Sequence, residues 1–320
     1  MASSSTESPK VPVDVEGRRL LLSSLDKVMY PEAGTTKAEV LDYYARVAPV
    51  LLPHLAGRPV TRIRYPHGVA DPMQFFEKNI PSGTPDWVRR AGRDPVFPLI
   101  DDLAGLTWLV NLNSLELHVP QWRYEGEGRD AVALNPDRLV IDLDPGPGMG
   151  LGDCATVALI VRDRLAAIGL DTLPVTSGSK GMQLYAVLPG DHTSDQIRDT
   201  VQQLAQELSK AHPELIVWKM AKDLRPGRIF LDWSQNVAAK TTICPYSLRG
   251  RSRPTVAAPR SWAEVEAGAG SAGGRQGTEG TGGIAGTEGT AGTGELVQLE
   301  MDEVLARVAR DGDLAAAITA

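Results

Sequence analysis

The chain has 320 residues, 40 acidic against 33 basic, for a net charge of -7 and a pI near 5.4. Its 42% hydrophobic and 23% charged residues exclude wholesale disorder, and the length suits one large domain or two modest ones. Two cysteines, Cys154 and Cys244, exclude a disulfide framework and a four-cysteine zinc site; no apolar run approaches the roughly 20 residues of a membrane span. The acidic balance speaks mildly against a nucleic-acid partner, because phosphate-binding domains are usually basic.

Residues 1–17 are rich in Ser and Pro and read as a flexible arm without a signal-peptide core, so a reducing cytoplasm is the expected compartment. A helix is expected from Thr36, where Thr36 and Glu39 form a capping box ahead of Val40, Leu41, Tyr44, Val47, Ala48 and Leu51. Residues 60–65 read as extended, 103–116 as a second helix, and Leu117 to Pro120 as extended. Residues 138–145 read as a buried strand ended by proline and glycine, followed by a helix over about 153–168. Strand, turn and strand are expected over 173–188, then a capped helix from Thr193 and Gln196 to about 211, and strands at 215–218 and 228–233. Ser261 with Glu264 caps a further helix, and 301–309 forms the last. This order predicts an α/β or α+β fold, with helices on a largely antiparallel or mixed sheet. Within residues 267–294, 12 of 28 are glycine, which reads as a flexible insertion interrupting one domain spanning 18–320.

Four features carry chemistry. Asp142 and Asp144 stand at i and i+2 on a strand and so share a face; like charges that close repel unless a cation lies between them. With Asp232, at the end of another apolar strand, they suit two hard divalent cations, one activating a nucleophile and one steadying a leaving oxygen. Aspartates at strand ends otherwise only cap turns. Ser177-Gly178-Ser179-Lys180-Gly181 suits a phosphate, its glycines letting backbone approach a ligand, although a plain hairpin is the default reading. Residues 219–253 hold eight basic residues against two acidic, a local excess that favours polyphosphate over a solvated face. Arg249 suits a bidentate grip on a triphosphate oxygen. Phe75-Phe76-Glu77-Lys78 offers aromatics beside a cation for an unpaired base, with one ring expected outside and the other in the core. His118 either donates to a phosphate or completes a hydrogen-bonded core, and by itself favours the core.

In order along the chain stand Phe75-Phe76-Glu77-Lys78, His118-Val119-Pro120-Gln121-Trp122, Asp142-Leu143-Asp144-Pro145-Gly146 and Ser177-Gly178-Ser179-Lys180-Gly181. Asp232-Trp233-Ser234-Gln235-Asn236 and Tyr246-Ser247-Leu248-Arg249-Gly250-Arg251 follow. Together they resemble the polymerase domain of bacterial DNA ligase D, a primase-polymerase of the archaeo-eukaryotic primase superfamily. The resemblance covers about 18–265 and resumes over 302–314. It implies an α+β primase-polymerase core and a template-dependent nucleotidyltransferase acting in end joining or gap repair, with a preference for ribonucleotides. It implies that Asp142, Asp144 and Asp232 are catalytic and hold two Mn²⁺ or Mg²⁺ ions. By the same resemblance His118, Ser177, Ser179, Lys180, Gln235, Lys240 and Arg249 surround an incoming NTP or dNTP. Arg225 is implied near a primer or bridged end, Lys27 and Lys37 near a 5′-phosphate, and Phe75 and Phe76 near the template; Arg62 and Arg64 are candidate DNA contacts.

One departure touches the substrate: Ile63 stands between Arg62 and Arg64 where relatives commonly carry a lysine beside the 5′-phosphate. No Lys-x-Asp-Gly ligase motif occurs, so the expectation is a stand-alone enzyme in a bacterial cytoplasm, near the nucleoid, working on gapped, nicked or broken DNA. It would meet a separate ligase and a Ku-like protein. The alternatives are a DNA-end binding or bridging module without catalysis and a metal-dependent phosphohydrolase.

Overall fold

The computed structural model describes residues 10–269 and 295–319. All but the first three residues of the glycine-rich stretch therefore lie outside the described residues, and those three close a helix. The chain is structured earlier than its composition suggests. Val11–Val15 pairs antiparallel with Arg18–Leu22, so the arm expected over 1–17 is corrected from residue 11 onward. Glu16 and Gly17, at φ 53° and 75°, make the two-residue turn that matches strand twist. Alternating Val13 and Val15 then pack on the core, which a compositional reading overlooks.

Among the described residues six α-helices follow: α1 (Lys37–Leu55), α2 (Leu103–Asn111), α3 (Leu151–Ala166), α4 (Ser194–Ala211), α5 (Trp262–Gly268) and α6 (Met301–Asp311). The capping boxes expected at Thr36, Thr193 and Ser261 all form, each side chain accepting from the N3 amide while the N3 side chain reaches back. The second helix is shorter than expected. It stops at Asn111, Asn113 turns left-handed at φ 64°, and Ser114–Val119 becomes a strand that buries Leu115 and Leu117.

The α+β architecture rests on two sheets. Six strands lie in the order Ile216–Val217, Ile229–Asp232, Arg138–Pro145, Met182–Val187, Leu173–Thr176 and Ala258–Pro259. All pairs are antiparallel except the first, which is parallel. A second sheet orders Thr242–Ile243, Ser114–Val119, Thr61–Arg64 and Phe75–Glu77. Alternation along the central Arg138–Pro145 strand divides the interior: Leu139, Ile141 and Leu143 enter one core with residues of α3 and α4, and Val140 enters the other with α1 and α2. Each such fully buried side chain contributes about 1.5–3 kcal/mol. Further along the Val140 face the same alternation presents Asp142 and Asp144.

Candidate active site

Antiparallel register sets Asp142 directly opposite Asp232, and Asp144 two residues on shares the face. The three carboxylates each offer an oxygen within 4.8 Å of the others. Burial pushes the Asp142 pKa well above the ordinary carboxylate range, and its neighbours Asp144 and Asp232 push it further. Asp144 is raised by burial and by Asp232, while Arg225 and Arg249 pull it back. Asp232 is braced from its own 3₁₀ turn: Ser234 N and Oγ donate to Oδ1 at 2.9 and 2.5 Å, and Gln235 Nε2 donates to Oδ2 at 2.9 Å. Three crowded hard-oxygen donors, two of which (Asp142 and Asp144) are pushed up by burial and neighbouring carboxylates, fit Mg²⁺ or Mn²⁺.

Asp142 and Asp144 open onto a cleft of about 550 Å³, with Asp232 buried beside them. His118, Ser177, Ser179, Lys180, Gln235 and Arg249, the candidate nucleotide contacts, line the cleft together with Arg225, Gln183, Thr241 and Arg251. The loop carrying Arg249 is suspended from buried tyrosines: Tyr30 Oη donates to Arg249 O at 2.9 Å, Tyr43 Oη to Tyr246 O at 2.7 Å, and Leu248 N donates to Tyr44 Oη at 3.1 Å. Tyr43 and Tyr44 come from α1, so that helix holds the cationic loop in register with the carboxylates.

Glu116, 4% exposed, is the hub behind this wall. Tyr65 Oη donates to its Oε1 at 3.0 Å and Gly250 N at 2.9 Å, while His118 Nε2 and Arg249 Nη1 meet its Oε2 at 2.9 and 3.1 Å. Burial alone would raise its pKa, but the His118 hydrogen bond, the Arg249 charge and the Gly250 amide outweigh it and hold the group at about 2. His118 is itself lowered, first by burial and then by Arg249, against the opposing pull of Glu116. Its neutral imidazole and the Arg249 guanidinium are thereby aimed from one carboxylate toward the cleft.

The family model for the LigD primase-polymerase domain matches residues 36–274. The chain belongs to the LigD primase-polymerase family. It is 47% identical over 305 residues to the multifunctional non-homologous end joining DNA repair protein LigD of Mycobacterium tuberculosis, covering 93% of this chain and 36% of that protein. It is 36% identical over 251 residues to the bifunctional LigD of Bacillus subtilis, covering 78% of this chain and 40% of the relative. The chain thus spans about a third of the length of the mycobacterial relatives. The solved polymerase domain of M. tuberculosis ligase D in complex with DNA superposes with a TM-score of 0.82 at 45% identity, over 94% of this chain and 98% of that one.

Within this LigD-type domain several expected side chains stand elsewhere. Lys240 reaches Ser234 Oγ, which supports Asp232, and does not line the cleft. Lys37 is 2% exposed, its ammonium donating to Ser23 O at 2.8 Å and Asn111 O at 2.6 Å; burial, then Lys27, lowers its pKa to about 8. As a phosphate contact it is corrected by that burial. Arg62, 1% exposed, is corrected likewise: it pairs with Glu77 and donates to Asn79 O. Arg64 does share its face, as alternation requires, and pairs with the same Glu77 at 2.9 Å. Lys27 is half-buried and donates to Pro66 O at 2.9 Å. Phe75 and Phe76 are both exposed, 45% and 59%, correcting the expectation of one core ring; a three-residue edge strand covers neither face.

The glycines of the Ser177–Gly181 turn also have another cause. A Cβ on Gly181 would lie 2.0 Å from Leu143 O, and one on Gly178, at φ 68°, 2.7 Å from the Val256 carbonyl carbon. Gly178 admits the backbone at Val256, and Gly181 admits the strand that carries Asp142 and Asp144. Gly181→Ala is therefore expected to displace that strand and lower the thermal midpoint along with activity; a normal midpoint in differential scanning calorimetry would contradict this.

Sequence reasoning missed Gln183 and Glu116. Gln183 is the register partner of Asp142 and its side chain hydrogen-bonds that carboxylate. A lone amide among Met182, Leu184 and Ala186 was the available signal. Glu116 shares strand parity with His118, a signal hidden by assigning it to a helix end.

Proposed function

We propose that this LigD-family domain transfers a nucleotide onto a DNA 3′-hydroxyl in a template-dependent reaction with two divalent ions, filling gaps or extending ends in non-homologous end joining. The observation that carries the reading is the cluster of Asp142, Asp144 and Asp232, the first two of which open onto a cleft also lined by Lys180, Arg225, Arg249 and Arg251. A cleft for polyphosphate gains nothing from three carboxylates unless metal ions bridge the two, which disfavours a module that only binds ends. Bound by the three aspartates, divalent ions supply the positive charge that activates a hydroxyl and steadies a leaving phosphate oxygen.

The chain's own groups do the rest. Arg249 exchanges part of its pairing with Glu116 for triphosphate oxygens, and His118, its Nε2–H engaged by Glu116, faces the cleft from the same wall. Ser177, Ser179 and Lys180 add donors and charge to the same cleft. Gln235 and Ser234 hold Asp232 in orientation. Arg225, its guanidinium 3.7 Å over the Phe230 ring, faces the cleft beside Asp144. Ribonucleotides are the preferred substrates in this reading. The test is incorporation on a gapped duplex with Mn²⁺, comparing NTPs with dNTPs. Release of phosphate from a nucleoside triphosphate without primer or template would favour a phosphohydrolase instead.

Because Asp142 and Asp144 resist ionisation, ions must displace protons, and Mn²⁺ affinity is expected to rise with pH through the raised carboxylate range. Calorimetric titration at about pH 5.5 and 7.5 checks this, and a flat affinity would refute it. Recognition of a 5′-phosphate is expected to be weak. Ile63 packs on the core, and Lys37 and Arg62 are buried, leaving Lys27 as the remaining candidate. Extension of gaps with and without the phosphate should differ little; a tenfold gain, about 1.4 kcal/mol, would place that pocket on other residues.

A further inference from the structure

Across residues 238–241 from the active-site cleft lies a second cavity of about 280 Å³. Phe97, Trp122 and Tyr124, all half-buried, line it. Trp122 and Tyr124 meet edge to face, 5.0 Å between centroids at 83°. Lys78 and Arg93 add two cations against one carboxylate, Asp94. Trp122 Nε1 donates to Ala238 O at 2.9 Å and Lys78 Nζ to Ala239 O at 3.2 Å, which fixes the 238–241 segment as a wall of this cavity. Thr241, at its end, lines both cavities. Lys78 also directly follows the edge strand that exposes Phe75 and Phe76.

Aromatic walls with cations beside them match the two halves of a nucleotide. An apolar ligand has no use for the cations, and a bare phosphate none for the rings. Stacking on aromatic side chains is indifferent to sequence because every base has a π-face. Arg93 pairs with Asp130 at 3.4 Å, side chains 70% and 95% exposed, and such an exposed pair costs little to give up. On a primer–template bound in the cleft, the strand with unpaired bases beyond the active site is the template. Continuity through Thr241 brings that strand to this cavity.

We propose that this cavity receives an unpaired template base ahead of the active site, with Lys78 and Arg93 on its phosphates; the proposal rests on reading the cleft as a polymerase site. The test uses primer–template duplexes carrying 2-aminopurine at successive overhang positions, bound by the full chain in EDTA so that no extension occurs. One overhang position should change fluorescence on binding, and that change should vanish in Trp122→Leu. Phe97→Leu, which keeps apolar volume but removes a ring, should also abolish or halve it, and serves should the tryptophan variant fail to fold. Both variants should bind the long overhang roughly five- to a hundredfold more weakly than wild type, yet bind a one-nucleotide gap normally. Tight DNA binding with no responsive position, or a response unchanged in the folded variants, would overturn the cavity assignment and leave the polymerase reading intact. Failure to bind any primer–template would overturn both.

Discussion

Asp142→Ala is expected to abolish Mn²⁺-dependent nucleotide incorporation on a gapped duplex while raising the thermal stability of the metal-free protein. Asp142 is the middle of the carboxylate group, opposite Asp232 in register and one pleat from Asp144. Its removal deletes a ligand shared by any ions held there. Its pKa is raised by burial and then by its two neighbours, so the ionised folded state carries a repulsion that the unfolded chain lacks. For a carboxyl raised on folding, that cost is absent at low pH and grows as pH climbs through the unfolded value toward the folded one. The stabilisation by Asp142→Ala should accordingly be larger at pH 8 than at pH 4.5, and Mn²⁺ should raise the wild-type melting temperature but not the variant's. Normal incorporation by the variant would sink the assignment; a lower melting temperature in metal-free buffer at pH 8 would refute the electrostatic account.

The second large effect falls on Glu116, which touches no substrate in this reading. Glu116→Ala strips one acceptor from Tyr65, Gly250, His118 and Arg249 at once, all at a buried site. Breaking a buried ionic hub by removing one partner costs roughly 3–5 kcal/mol. The depression of its pKa from 4.5 to about 2 gives a similar scale, roughly 3 kcal/mol. A depressed carboxyl stabilises the fold above its unfolded pKa, so this contribution is present at neutral pH and disappears as pH falls from about 4.5 toward 2. Urea unfolding should show Glu116→Ala much less stable than wild type at pH 7, with the gap narrowing near pH 3. Glu116→Gln, which keeps the acceptor for Tyr65 and Gly250 but not the charge, should fold better and raise the nucleotide KM more than it lowers kcat. Equal stability of the alanine variant at pH 7 would refute the hub.

The net charge of -7 misled as evidence about partners, and its eight-cation segment misled in part as well. Of those cations Arg225, Arg249 and Arg251 line the cleft, while Lys240 is tied to Ser234 and Arg253 pairs with Glu300. Charge counted along a chain says nothing of which way a side chain points. Period-2 alternation does, which is why Asp142, Asp144 and the common face of Arg62 and Arg64 were legible before any coordinates. Alternation says nothing, however, of what lies over a face. Arg62 and Lys37 share the chemistry of phosphate contacts and are buried on Glu77 and backbone carbonyls.

Local patterns thus sufficed for the capped helices, the central strand and its paired aspartates, because caps and pleats are set within a few residues. The partnership of Asp142 with Asp232 needed the register of strands 90 residues apart, and Gln183 beside them that of strands 41 residues apart. The Glu116 hub needed more: a strand read as helix, a tyrosine near position 65 and a loop near 250 brought to one buried point. Burial is a property of the packed whole. It pushes Asp142 and Asp144 up in the cleft, while the partners that packing gathers around Glu116 outweigh it and hold that carboxyl down behind the cleft.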